Sequence, residues 1–281
     1  MDVGRPGAAV TGLFTGLLDD AALFPPGEAP LPEAVPAHHD HHAAWYADLV
    51  GPFVVSAARL GELAELGDER PLRLSVTLPG GPAELPPALV RLSGMDHTEP
   101  VAVEVVLPDD TMPEQLVRVL DEHLPAAVTG WVEVPRGPRR EPTLNALAGT
   151  RYRAKFRTGG VTAAAHPGEG ELAGAIVAAV RRRIPFKCTA GLHHAVRHTE
   201  AATGFERHGF LNVLLAADAA RRGAEPGEVA ALLAERSAET VAERVRALPG
   251  PGPRESFVSF GTCSVGEPVD DLVALGLLRK P

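Results

Sequence analysis

Apolar residues along this chain fall into short alternating runs, separated by longer stretches with a helical period. The alternating runs are Leu13–Leu18, Phe53–Ser56, Leu72–Leu78, Val101–Leu107, Val128–Val134, Tyr152–Arg157, Pro185–Thr189 and Phe257–Gly261. Most are rich in Val, Leu or Phe and bounded by Gly, Pro or Asp, the pattern of a β-strand. Between them, apolar spacings of three and four predict helices over Pro32–Leu49, Leu60–Leu66, Ala83–Leu92, Met112–Leu124, Glu169–Arg183 and the long stretch Phe210–Leu248. Eight strands alternating with helices predict an α/β protein: one (β/α)8 TIM barrel over residues 1–281, with an extended helical segment after strand 7. Strand 1 and the helix after strand 5 are the faintest elements, which leaves a doubly wound open sheet as the alternative. Pro249-Gly250-Pro251-Gly252-Pro253 reads as a loop rather than a linker, because a strand and a short helix follow it.

Strand parity then sorts side chains into two sets, since successive residues point to opposite faces. Apolar Ala154 and Phe156 flank Lys155, Phe186 and Cys188 flank Lys187, Val103 and Val105 flank Glu104, and Val132 and Val134 flank Glu133. The apolar set would face the helices. The interior would hold Thr77, Glu104, Glu133, Lys155, Arg157, Lys187, Thr189 and Ser259. A structural barrel fills that space with Val, Ile and Leu, and unpaired buried ions cost several kcal/mol each. Charge here therefore points either to a paired network that fixes the fold or to chemistry at the strand ends.

Composition sharpens the second option. The 281 residues carry 27 Lys+Arg and 36 Asp+Glu, a net charge of −9 with no basic block, which argues against nucleic acid or an anionic membrane as partner. Only three of the 27 cations are lysine: Lys155, Lys187 and Lys280. Arginine keeps its proton, whereas a lysine can become the neutral amine that attacks a carbonyl to form a Schiff base. A chain that uses arginine almost everywhere places lysine at matching inward positions of consecutive strands. Two ammonium groups in one cavity repel, and Arg157 adds to the field. Moving a lysine from about 10.4 to about 7 requires about 4.6 kcal/mol.

The local motifs add a resemblance. Strand 6 reads Lys155-Phe156-Arg157-Thr158-Gly159-Gly160, strand 7 Phe186-Lys187-Cys188-Thr189-Ala190-Gly191-Leu192, and strand 8 Ser259-Phe260-Gly261-Thr262-Cys263-Ser264. In order and spacing these are similar to the last three strands of the deoxyribose-phosphate aldolase family of class I aldolases. Its patterns are K-x-[ST]-T-G, K-x-[AS]-G-G and a G-x-S-S turn. The resemblance covers about the last 180 residues. It implies that Lys155 is the Schiff-base lysine, that Lys187 lowers its pKa and that Glu104 joins a proton relay. Arg157 in place of a small hydroxyl, Ala190-Gly191-Leu192 in place of a glycine pair and Cys263 in place of a serine point away from a phosphorylated deoxyribose. Glu104 stands where aspartate is usual, and the family's strand 1 motif is not recognisable. Arg157 instead suggests a carboxylate or other anion held by a two-pronged guanidinium.

The expectation is thus a lyase of the aldolase type acting on a small anionic carbonyl compound without a cofactor. The candidate catalytic residues are Lys155, Lys187, Glu104, Glu133 and His194. Candidate substrate contacts are Arg157, Thr189, Gly191, His193, Ser259, Gly261, Ser264 and Asp20, with Asp19 beside it at the end of strand 1. One alternative is a metal-dependent lyase, hydrolase or isomerase using His193, His194, His198 and His208, with Glu206 as a further ligand for a divalent ion. Another is a non-catalytic barrel that binds a small anion. His38 and His42 stand four residues apart on a predicted helix, as a metal pair or a solvated face. Trp45 and Tyr46 read as packing residues. Cys188 is expected to pack outward, and Cys263 to be accessible but not activated. Two cysteines 75 residues apart suggest a reducing compartment. The apolar stretch Ala8–Leu18 lacks a basic start and is followed by Asp19-Asp20, so a soluble, cytoplasmic protein is expected, with a homo-oligomer possible.

Overall fold

The computed structural model describes residues 12–281. Its strands are β1 (Leu18–Asp20), β2 (Val50–Ser56), β3 (Leu72–Leu78), β4 (Thr98–Val106), β5 (Thr129–Glu133), β6 (Arg153–Arg157), β7 (Phe186–Thr189), the short pair β8 (His198–Thr199) and β9 (Glu206–Arg207), and β10 (Phe257–Thr262). The helices are α1 (Leu31–Ala43), α2 (Leu60–Leu66), α3 (Leu85–Leu92), α4 (Pro113–His123), α5 (Arg140–Leu147), α6 (Glu169–Arg181), α7 (Phe210–Arg221), α8 (Pro226–Ala234), α9 (Ala238–Arg246) and α10 (Gly266–Ala274). Eight parallel strands close in the order β1-β10-β7-β6-β5-β4-β3-β2. Because β1 pairs with both β2 and β10, the sheet has no edge, and the open-sheet alternative is excluded. The chain folds as a (β/α)8 barrel.

The parity reading holds on the helix-facing side. Leu74, Val76, Val103, Val105, Ala154, Phe156, Phe186, Cys188 and Phe260 are all buried in one apolar cluster with the inner faces of the helices. Each such side chain contributes about 1.5–3 kcal/mol when removed from water. At the opposite end from the strand termini, Arg254 seals the barrel. Its guanidinium donates to the carbonyls of Leu13 (2.7 Å), Thr15 (3.0 Å), Phe257 (3.0 Å) and Val258.

Three local readings are corrected. The expected strand Leu13–Leu18 is instead a turn, forced by Gly16 at φ +57°, and β1 begins at Leu18. The helix expected over Pro32–Leu49 ends at Ala43, and Trp45 beyond it is 38% exposed rather than packed. The stretch Phe210–Leu248 divides into three helices. Gly223 at φ +91° ends the first, Pro226 starts the second, and the Ser237 side chain accepts from Thr240 N to cap the third. Two further elements are faint or hidden in the pattern: α5, which contains Pro142, and the β8–β9 hairpin, two residues per strand, too short for any period to reveal. No helix among the described residues is long and apolar enough to cross a membrane.

Candidate active site

Parallel register lines up the inward-facing charges. Glu133 pairs in register with Lys155, Lys155 with Lys187, and Lys187 with Ser259, so residues from β5, β6, β7 and β10 lie at one level. Glu104 reaches in from β4 and joins the two lysines. Its Oε1 lies 2.5 Å from Lys187 Nζ and its Oε2 lies 3.2 Å from Lys155 Nζ. Ser75 on β3 donates its hydroxyl to the same Oε1 at 2.8 Å. Lys155 Nζ also lies 2.9 Å from Glu133 Oε2, and Glu133 Oε1 accepts from Arg157 Nε at 3.2 Å. Below the lysines, the Trp131 ring forms a floor, with Lys187 Nζ 5.7 Å from its centroid and Arg153 packed against it at 5.3 Å.

The second carboxylate on Lys187 is Asp19, at 2.5 Å, steadied by a 2.9 Å hydrogen bond from the Ser259 hydroxyl. Its neighbour Asp20 points the other way. One oxygen of Asp20 accepts from Ala22 N at 3.1 Å, and the other lies 2.9 Å from His38 Nδ1. One-residue parity within β1 therefore gives Asp19 to the site and Asp20 to the barrel wall. Gly51 on β2 makes this possible, because a Cβ at that position would collide with Asp19 Oδ1.

Electrostatics follow from this pairing. Burial alone would depress the Lys187 ammonium, but Asp19 and Glu104 outweigh it and hold the pKa well above the ordinary lysine value. Burial would raise Glu104, yet Lys187 and Lys155 overcome it and bring the carboxyl down to about 2. Asp19 behaves oppositely: burial wins over Lys187 and pushes its carboxyl up. For Glu133, Lys155 and Arg157 overcome burial and draw the carboxyl below its usual range. Lys187 is thus a fixed positive charge, and the site holds protonated and deprotonated groups side by side.

A cavity of about 630 Å³ opens above this network at the carboxyl ends of the strands. Of the expected site residues, Lys155, Lys187, Glu104, Glu133, Arg157, Thr189, Gly191, His193 and Gly261 line it. The structure places four others elsewhere. Ser259 is buried behind the wall, where it orients Asp19. Asp20 is engaged with His38. Ser264 serves the start of α10, its hydroxyl accepting from Glu267 N at 3.3 Å. His194 leans away from the cavity toward Asp271, 3.2 Å distant.

No family model matches this chain, and no curated protein and no solved structure matches it. The likeness to the aldolases therefore rests on the strand motifs alone.

The four histidines do not converge on one point, although the His194 and His198 rings lie edge to face at 4.8 Å. His198 Nδ1 lies 3.1 Å from the Val196 carbonyl, and the buried His208 lies between the Pro167 carbonyl (2.8 Å) and Arg197 (3.2 Å). Only His193 reaches the cavity, its Nδ1 3.3 Å from Glu267 and 3.6 Å from Cys263 Sγ. Burial lowers the His193 pKa in spite of Glu267, and burial raises the Cys263 thiol. Among the described residues no group of three or more His, Cys, Asp or Glu is arranged to hold a metal ion. His38 and His42 lie edge to face at 4.6 Å, but His38 is buried against Asp20, so neither the metal pair nor the solvated face describes it. Glu206 pairs instead with Arg197 at 3.1 Å and with Arg236.

Sequence reasoning did not find the hairpin that caps the cavity. Phe24, Pro25 and Pro26 form one lip, and Glu200, Thr203, Phe205 and Arg207 of the β8–β9 hairpin form the other. The available signal was Thr203-Gly204, a turn between two β-compatible pairs, with Gly204 at φ +71°.

Proposed function

We propose that this barrel is a class I aldolase-type lyase, making or breaking a carbon–carbon bond through a Schiff base on Lys155. The observation that carries the reading is the sharing of one buried carboxylate, Glu104, by two lysine amines inside a cavity large enough for a small metabolite. A barrel needing only charge balance gains nothing from lysine over the arginine used elsewhere in this chain.

Lys187 stays an ammonium, fixed by Asp19 and Glu104. Lys155 becomes nucleophilic when its proton is relayed away through Glu133, whose Oε2 lies 2.9 Å from Nζ and whose lowered pKa suits it to passing a proton on rather than keeping it. The freed amine adds to the substrate carbonyl carbon, and the carbinolamine loses water with a proton returned from the carboxyl. The iminium then acts as electron sink. In the cleavage direction, a carboxylate takes the β-hydroxyl proton and the α–β bond breaks. Its electron pair moves into the enamine and an aldehyde departs. Protonation of the enamine carbon and addition of water release the second product and restore Lys155. The positive charge of Lys187 stabilises the oxyanion of the carbinolamine as it forms.

The test is reduction with borohydride in the presence of a panel of small aldehydes, ketones and 2-oxo acids. Intact mass and peptide mapping then locate any adduct. The expected result is one adduct on Lys155, abolished in Lys155→Arg. Absence of an adduct with every compound, or an adduct confined to Lys280, overturns the covalent mechanism. The rival is a barrel that only binds an anion. The pairing of Lys155 and Lys187 with Glu104, Glu133 and Asp19 favours it, and it predicts no adduct with ligand binding kept in Lys155→Arg.

A further inference from the structure

Four cations and three carboxylates line the cavity. Three of the cations, Lys155, Lys187 and Arg157, are matched by Glu104, Glu133 and the underlying Asp19. Arg207 is different. It comes from β9, the returning strand of the hairpin that caps the cavity, and is 8% exposed. Its Nη2 donates to Glu200 Oε2 at 2.7 Å. Its Nε is buried and has no hydrogen-bond partner. Leaving a buried cationic donor without an acceptor costs free energy.

The position of this guanidinium is fixed from all sides. Nη1 rests over Gly159 and Gly191, at the ends of β6 and β7, where Cβ atoms would come within 3.2 and 3.3 Å of it. Gly191 sits at φ +95°, so both backbone shape and space demand glycine there. The hairpin itself is anchored. Arg197 holds Glu169 at 2.7 Å and Glu206 at 3.1 Å, and Phe205 packs on His166 with ring centroids 5.1 Å apart. Arg207 is therefore rigid, partly unpaired, and placed above the two strands that carry Lys155 and Lys187.

We infer that Arg207 is the anion anchor of this cavity, binding the carboxylate or phosphate end of the substrate through its guanidinium, whose Nε–H has no acceptor in the empty site. This deepens the aldolase-type reading and rests on it for the word substrate, but the anion site itself does not depend on imine chemistry. It also reassigns the role expected of Arg157, whose Nε is already taken by Glu133 and whose side chain is 44% exposed. Glu200 competes for Arg207 in the empty site. It is itself held as a carboxylate by hydrogen bonds from Thr203 and Arg207, which lower its pKa.

The experiment titrates the full chain calorimetrically at low salt with oxalate and, separately, with inorganic phosphate; neither forms an imine. The wild type is expected to bind one anion per chain, and Arg207→Met to weaken it about tenfold or more. Arg207→Lys, which keeps charge but loses the fork, falls between them. Glu200→Ala, which removes the acceptor and the competing charge from Nη2, is expected to tighten binding severalfold. That opposite sign separates loss of the anchor from loss of the fold. Preference for oxalate identifies a carboxylate substrate, and preference for phosphate a phosphorylated one. Equal affinity in the wild type and Arg207→Met, or no binding of either anion by the wild type, overturns the assignment. Borohydride trapping fails or succeeds independently, so the two readings can be refuted separately.

Discussion

Glu104→Gln keeps the shape of the side chain and removes the single charge that two ammonium groups share. Glu104 is fully buried, and its carboxyl is held at about 2 against an ordinary 4.5. A depressed carboxylate pKa contributes stability above the unfolded value and loses it as pH falls through the folded one. The difference of about 2.5 pKa steps corresponds to about 3 kcal/mol at pH 7. Two independent comparisons agree: unit charges about 4 Å apart at an effective dielectric of about 20 interact by about 4 kcal/mol, and breaking a buried pair costs about 3–5 kcal/mol. The expected gap between wild type and Glu104→Gln is therefore about 3 kcal/mol at pH 7, about 1 kcal/mol at pH 3, and close to zero near pH 2. The Asp19 carboxyl, raised chiefly by burial, has the opposite sign and gains stability as pH falls; Glu104 adds to that rise, so its removal relaxes Asp19 and narrows the gap at neutral pH. Urea unfolding followed by far-ultraviolet circular dichroism at matched pH values measures the gap. A gap that stays constant from pH 7 to pH 3, or a variant as stable as wild type at pH 7, would refute the placement of Glu104 between two ammonium groups.

Arg254→Leu is expected to destabilise the closed end of the barrel, since several backbone carbonyls lose their donor. Burial lowers this guanidinium to about 10, so it is charged at neutral pH. A loss of about 3 kcal/mol and a drop in Tm of about 6–12 °C are expected, and a drop under about 2 °C would contradict the sealing role. Gly51→Ala drives a methyl group into Asp19 Oδ1 and is expected to cost about 1–3 kcal/mol. In an Asp19→Ala background the same change should be milder by about 1 kcal/mol, and a double-mutant cycle without coupling would show that Gly51 does not make room for Asp19.

The helix-facing half of the barrel was legible because its strands alternate cleanly over at least four residues. Lys155, Lys187, Glu104 and Glu133 each sit between two apolar neighbours, so parity alone turned them inward. The closed ring of strands then brought Glu133, Lys155 and Lys187 to one level, with Glu104 one layer below reaching up to the lysines, without any further coding in the local sequence. Asp19 and Asp20 were harder. They are adjacent and chemically alike, β1 has three residues, and a one-residue change of register exchanges their faces. What settles the matter is a remote glycine on the next strand, and a small residue in one element does not announce which carboxylate in another will need its space.

The lysines and Arg207 mark the limit of reading by rarity. Lysine is informative here because the chain has three of them, so two at register-matched positions demand a reason. Arg207 is one cation among many of its kind, in a hairpin whose two-residue strands carry no period. Its distinguishing property is burial at the cavity wall with an Nε–H that has no acceptor, which exists only once β9 has folded back over β6 and β7. The histidines failed in the converse way: four in one stretch looked like a cluster, yet a loop disperses side chains as readily as it gathers them. Of the four, only His193 reaches the cavity, beside Cys263 from the far end of β10. Proximity in sequence predicts a shared site on a helix face or strand face, where the backbone period fixes direction. In a loop it predicts nothing until the backbone hydrogen bonds are known.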